Sequence, residues 1–263
     1  MGTSVVRYHM GADCTPSWGV LRAGAIFPLV GNFQSHQELM RVYFEDRGDF
    51  EARVGAGAVQ CPDVRFLSPV TDQIQLFCQG LNYADHRIEG GLDKGSEHGE
   101  NLFFTKAPSS ICGPNDDIVR PAGCELLDYE IELGVVLKVN IGGATNIPEQ
   151  GLGEVIGALV LANDVSARDF MFGAPAMQWF RGKSQRTFCP MGPVLYLLDD
   201  GDLRSLYSLD LVLKLNGKVK QAATTDRLIH KPATSLSEWS TFTNLRAGDC
   251  LLTGTARRQC WSE

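Results

Sequence analysis

The chain has 263 residues, is 44% hydrophobic and carries a formal net charge of -7. That length and composition describe an ordinary globular protein with room for one large and one small domain. The acidic balance argues against a nucleic-acid partner, and no stretch approaches the roughly 20 apolar residues of a membrane span. The eight cysteines are scattered, without a CxxC pair or zinc-type spacing. Single thiols of this kind, with no basic-then-apolar leader, lead to an expected cytoplasmic location.

Residues 1–70 are rich in glycine and poor in ionic chemistry, and read as a small α+β module with its boundary near Pro69. Within it Ser35-His36-Gln37-Glu38 has the capping-box pattern, and Leu39, Val42 and Tyr43 follow at helical spacing. His36 sits in the cap, so its expected role is structural. Trp18-Gly19-Val20-Leu21 reads as a short strand.

Ile74–Cys78 reads as a strand leading into Asn82-Tyr83-Ala84-Asp85-His86-Arg87-Ile88-Glu89. His86 and Glu89, three apart, share one side of a turn or short helix. A carboxylate beside an imidazole orients it and raises its basicity, as a general base requires. A surface ion pair would have the same spacing.

Leu127-Asp128-Tyr129-Glu130-Ile131-Glu132-Leu133 alternates apolar and acidic residues, then runs apolar to Leu137. The period of two predicts a strand with Asp128, Glu130 and Glu132 on one face, its later half buried on both sides. Like charges at ~4 Å repel by about 4 kcal/mol at an effective dielectric near 20. Solvent, a basic partner, protonation or a hard divalent cation would each relieve that repulsion. A second apolar strand, Ile156–Ala162, ends in Asn163-Asp164-Val165-Ser166-Ala167-Arg168-Asp169, which puts Asp164 at the end of a core strand. Read alone, Asp164 could instead cap a following helix turn. Lys183 follows in the Gly-flanked segment Arg181-Gly182-Lys183-Ser184. Asn216-Gly217 marks a hairpin, and Ser235-Leu236-Ser237-Glu238 repeats the capping-box pattern before a short helix. Ala247-Gly248-Asp249 turns into a last strand, Cys250–Thr255.

These segments together resemble the fumarylacetoacetate hydrolase family. The resemblance rests, in order, on Asn82-Tyr83-x-x-His86-x-x-Glu89, Asp128-Tyr129-Glu130-Ile131-Glu132-Leu133, Asn163 to Asp169, Gly182-Lys183-Ser184, Cys189-Pro190-Met191-Gly192-Pro193 and Leu252-Thr253-Gly254-Thr255. It implies a mixed α+β, mostly β fold: a β-sandwich roll over residues 71–263 behind the N-terminal module, usually in a homodimer. It implies Mg²⁺ or Mn²⁺, or Ca²⁺, on Glu130, Glu132 and Asp164. It implies that His86, oriented by Glu89, activates water, that Lys183 and Arg168 hold an oxoacid carboxylate or a developing enolate, and that Thr255 lies nearby. The expected activity is carbon–carbon hydrolysis of an acylpyruvate or fumarylpyruvate in aromatic-compound catabolism. The alternatives are oxaloacetate decarboxylation or hydration or isomerisation of an oxo-diacid on the same scaffold, and a non-catalytic metal- or oxoacid-binding protein.

The chain departs from the family at Met171, where relatives often carry Gln, and at Arg186, where they often carry Asp. Relatives also continue past Thr-Gly-Thr with proline and a glycine-rich turn. Ala256 to Glu263 instead reads as a truncated or frameshifted ending, an expectation that resequencing of the gene decides.

Overall fold

A computed structural model describes residues 1–11, 13–85 and 100–257. The helix expected after Ser35 spans His36–Glu45. Ser35 accepts from the Glu38 N–H at 3.3 Å, while the Glu38 carboxylate turns back one residue further and takes the Gln34 N–H. The cap therefore closes as half of a capping box. Leu39 and Tyr43 are buried on the inner face of this helix.

Most strands join one large sheet. The N-terminal strand Thr3–Met10 pairs antiparallel with Asp13–Arg22 on one side and with Cys189–Leu197 on the other. Beyond Cys189–Leu197 come Ile156–Asn163, the acidic strand Ile131–Leu137, the terminal strand Cys250–Thr255, then Leu76–Gly80 and Leu102–Lys106. One sheet thus continues from the N-terminal strands into those that carry the acidic residues. The fold is mixed and mostly β, as expected.

Alternation along the acidic strand builds two cores. Leu133, Val135 and Leu137 pack on one face with Leu251, Leu236 and Trp239. Val136 packs on the other with Val160, Leu252 and the N-terminal Tyr43 and Phe50. All residues from Ile131 to Leu137 are buried, as the apolar run implies.

Three expectations shift. The acidic strand is interrupted: Leu127–Asp128 pairs with Ser166–Ala167, and Ile131–Leu137 pairs with Ile156–Asn163. The break falls at Tyr129-Glu130, where the chain leaves the small ladder for the large sheet. The strand expected at Ile74–Cys78 runs instead over Leu76–Gly80, because the Asp249 carboxylate takes the Gln75 N–H at 2.8 Å before the ladder begins. The helix expected to follow Ser235 begins at Pro232 and runs to Ser240. Proline at the first helical position has no N–H to lose and a φ already suited to a helix, so it sets the start without a side-chain cap. The Asn216-Gly217 hairpin forms as expected, with φ of +51° and +77° at its two turn residues.

His36 joins the N-terminal module to the terminal strand's turn. It is fully buried, its Nδ1 accepts from the Thr71 N–H at 3.1 Å, and its Nε2 donates to the Gly248 carbonyl at 2.9 Å. That pattern fixes the neutral tautomer protonated on Nε2. Burial pushes its pKa down from 6.5 to about 4; the Gly248 hydrogen bond opposes the shift and the Arg7 charge adds to it. A group depressed on folding binds its proton first in the unfolded chain. The native state therefore loses about 3 kcal/mol of stability from this group as pH falls from 6.5 to 4. Urea midpoints across that range are expected to fall more steeply in the wild type than in His36→Asn, which keeps a donor and an acceptor but cannot titrate.

Candidate functional site

Backbone bonds clamp two separate segments together. Asp164 N–H donates to the Glu130 carbonyl at 2.7 Å, and Glu130 N–H donates to the Asn163 side chain at 2.9 Å. In the adjoining register Ile131 lies opposite Asn163 and Glu132 opposite Ala162. Glu130, Glu132 and Asp164 consequently each bring a carboxylate oxygen within 4.8 Å of the others, and all three side chains are buried. Among the described residues Asp164 caps no helix. The remaining acid of the alternating stretch, Asp128, turns to the Arg168 Nε at 2.9 Å.

Among the described residues three cations meet these carboxylates. Lys183 Nζ lies 2.5 Å from both Glu130 Oε2 and Asp164 Oδ2. Arg168 also bonds Glu130 Oε1. The third is Lys106, at the end of the strand Leu102–Lys106; its buried Nζ lies 2.6 Å from Asp164 Oδ1 and donates to the Val165 carbonyl. Sequence pattern gave no reason to choose Lys106. The available signal was a lysine ending a strand that otherwise reads Leu-Phe-Phe-Thr.

Among the described residues, Glu130, Glu132, Asp164 and Asp128 thus face Lys183, Arg168 and Lys106. Burial raises the Glu132 pKa well above the usual carboxylate range, and Asp164 and Glu130 push the same way, against Lys183 and the Gly254 N–H. Burial opposes the charge on Lys183, but Asp164 and Glu130 outweigh it and the net shift is upward. Arg168 behaves alike, held charged by Glu130 and Asp128. An all-oxygen set of clustered, buried carboxylates fits a hard divalent cation. Glu130, Glu132 and Asp164 could hold one.

Two glycines make the approach possible. Gly182 has Ala167 O and the Met171 side chain where a Cβ would stand, so the helix Trp179–Lys183 lies close against Arg168–Phe172 and Lys183 reaches the acids. Met171 is fully buried in that contact and Arg186 is exposed, so neither departure from the family pattern lines the cavity. Gly254 has φ +92° and a Cβ there would meet Asn82; its N–H donates to Glu132 Oε2 at 2.7 Å.

A cavity of about 580 Å³ opens onto the site, with Glu130, Glu132, Arg168, Lys183 and Thr255 at its charged end. Asp164 is reached through Lys183, which lines the cavity and bonds to it. Phe104, Trp179 and Phe172 form an aromatic wall, with ring centroids 5.2 and 6.0 Å apart along that chain of contacts. Thr255 is close, as expected, but its hydroxyl donates to the Ile131 carbonyl and accepts from Gln221. His86 and Glu89 lie outside the described residues. Asn82, just before them, is fully buried and bonded to Thr253 O and to both backbone groups of His230.

The sequence profile of the fumarylacetoacetate hydrolase C-terminal family matches residues 75–261. The chain belongs to the fumarylacetoacetate hydrolase family. Among curated relatives it is similar to the bovine mitochondrial oxaloacetate tautomerase FAHD2A, at 33% identity over 254 residues covering 94% of this chain and 76% of that protein. The human protein of the same name is 32% identical over 258 residues, covering 95% and 77%. Among solved structures it resembles a fumarylacetoacetate hydrolase from Exiguobacterium antarcticum, with a TM-score of 0.76, 32% identity, and coverage of 96% and 86%. A probable 2-hydroxyhepta-2,4-diene-1,7-dioate isomerase from Mycobacterium abscessus gives a TM-score of 0.78 at 28% identity, with coverage of 97% and 86%. The named activities of these relatives are tautomerisation and isomerisation as well as hydrolysis. Among the described residues no helix is long and apolar enough to cross a membrane.

Removing one partner of a buried ion pair typically costs about 3–5 kcal/mol, because the other charge stays behind. Lys106→Met is expected to destabilise the metal-free protein by about 3 kcal/mol, read from urea unfolding. Adding Asp164→Asn is expected to cost less than the sum of the two single changes. Strict additivity would mean that Lys106 does not act on Asp164.

Proposed function

We propose that this chain is a divalent-metal-dependent enzyme of keto–enol chemistry on a small 2-oxo acid, with oxaloacetate as the leading substrate. The observation that carries this is the meeting of Glu130, Glu132 and Asp164 within 4.8 Å beside Lys183 and Arg168 at the end of a cavity. The tautomerase and isomerase names among its relatives support it. It displaces acylpyruvate hydrolysis, the activity first expected from the sequence, to second place.

A cation on the three carboxylates supplies Lewis-acid polarisation of the 2-oxo group and offsets the negative charge that develops there. The protein's own groups do the rest. Arg168 is immobilised by Asp128 and Glu130, which leaves further N–H donors of its fork for a substrate carboxylate. Lys183 donates two of its three N–H bonds to Glu130 and Asp164, and the third is available to the substrate oxygen as it gains charge. The proton leaves the carbon next to the 2-oxo group and the enol oxygen takes one up; His86 with Glu89 is assigned the carbon-side transfer. Phe104, Trp179 and Phe172 line the cavity beside this charged end.

A specific observation favours hydrolysis as the second reading. The cavity is roomy for a four-carbon acid, and Leu102, Phe104, Trp179 and Phe172 offer an apolar surface that an acyl group would fill. Hydroxide formed with His86 and Glu89 would then attack the acyl carbonyl, and the same charged end would stabilise the departing enolate. A homodimer and a cytoplasmic location, both expected above, belong to the proposal; the described cysteines are all free thiols, which suits a reducing compartment.

Enol oxaloacetate offered to the purified protein with Mn²⁺ is expected to ketonise faster than in buffer, and chelator should return the rate to background. Lys183→Met should lower kcat/KM by about a hundredfold or more. Acceleration that survives chelation would refute the metal reading. Pyruvate released from an acylpyruvate, with no effect on oxaloacetate, would replace the first reading by the second.

A further inference from the structure

The acidic strand and the terminal strand lose their register at the site itself. Glu132 pairs with Thr255, but Gly134 pairs with Leu252, so two residues on the terminal strand answer one on the acidic strand. Gly254 uses its N–H on the Glu132 carboxylate rather than on the ladder. The backbone of Ile131, between two of the three carboxylate residues, must be held by other means.

A closed ring of side-chain bonds does this. Ile131 N–H donates to Gln221 Oε1 at 2.9 Å, Gln221 Nε2 donates to Thr255 Oγ1 at 2.8 Å, and Thr255 Oγ1 donates to the Ile131 carbonyl at 2.8 Å. Gln221 also donates to the Ala256 carbonyl at 2.8 Å. Gln221 is fully buried and comes from the hairpin strand Lys218–Thr224, outside the large sheet. Each member of the ring uses both a donor and an acceptor. The Thr255 hydroxyl hydrogen is already committed, although Thr255 lines the cavity.

We infer that Gln221 and Thr255 are positioning residues that act on the cation site: their ring fixes the Ile131 backbone, and with it the angle at which Glu130 and Glu132 present their carboxylates. Thr255 is then a scaffold member, where family resemblance suggested a place beside the substrate. Gln221, which does not line the cavity, matters as much as Thr255. This inference rests on the metal reading given above.

Mn²⁺ binding, followed by the paramagnetic resonance of the free ion, tests it without reference to turnover. Thr255→Val and Gln221→Leu should each weaken Mn²⁺ binding about 10- to 100-fold, the usual scale for groups that orient metal ligands. Thr255→Ser keeps the hydroxyl and should bind as wild type. The double variant Thr255→Val/Gln221→Leu should be no worse than the poorer single, since both break one ring. At saturating Mn²⁺ the KM for oxaloacetate in Thr255→Val should not change. Unaltered Mn²⁺ affinity in both single variants would overturn the inference, as would a raised KM in Thr255→Val with Mn²⁺ binding intact. If Gln221→Leu does not fold, Thr255→Val against Thr255→Ser decides alone. A wild-type chain that binds no Mn²⁺ removes the metal reading and this inference together, whereas binding that is indifferent to the ring removes only the inference.

Discussion

Buried negative charge is the constraint on which this structure turns. Three carboxylates from two segments converge out of water, and a fourth adjoins them. Such a group cannot be left alone, because unscreened carboxylates at these distances repel strongly and would otherwise take up protons. The fold answers with cations drawn from far along the chain: Lys106 from one strand, Arg168 and Lys183 from two short helices. Much of the local architecture follows from delivering them. The close packing at Gly182 brings Lys183 in, and the interrupted acidic strand lets Asp128 face Arg168 while Glu130 and Glu132 face Asp164.

The same arrangement bears on the enolate chemistry proposed for the site. Burial raises the Glu132 pKa, and the neighbouring Asp164 and Glu130 add to the shift. On the proposed reading, a divalent ion on the acidic trio would add positive charge where a substrate oxygen becomes negative. The charged end of the cavity is shared by every reaction considered for this chain. What separates tautomerisation from hydrolysis is the proton traffic and the filling of the apolar end, where Trp179 and Phe172 stand.

The carboxylates were legible in the sequence because strand alternation and position at a strand end are local properties. Pattern placed Asp128, Glu130 and Glu132 in a row and Asp164 at a neighbouring strand end, and the resemblance carried by the ordered motifs singled out Glu130, Glu132 and Asp164. Lys106 and Gln221 could not, since each is one polar residue in an unremarkable strand and takes its meaning from a partner 58 or 90 positions away. The helix at Pro232–Ser240 was misplaced for a related reason: proline at the first helical position outweighed a capping pattern three residues later. The Ile74–Cys78 strand slipped because a side chain, Asp249, captured the Gln75 N–H that the pattern assigned to a ladder. Local chemistry was readable, and long-range competition for backbone groups was not.

The family match starts at residue 75, yet the strand Cys189–Leu197 has Thr3–Met10 as one of its two hydrogen-bonded neighbours. Cutting the chain at the edge of the match would therefore strip a flank from a long, apolar strand in mid-sheet. Its freed N–H and C=O groups would be open to pairing with other molecules, so the excised piece would tend to self-associate rather than behave as an autonomous catalytic unit.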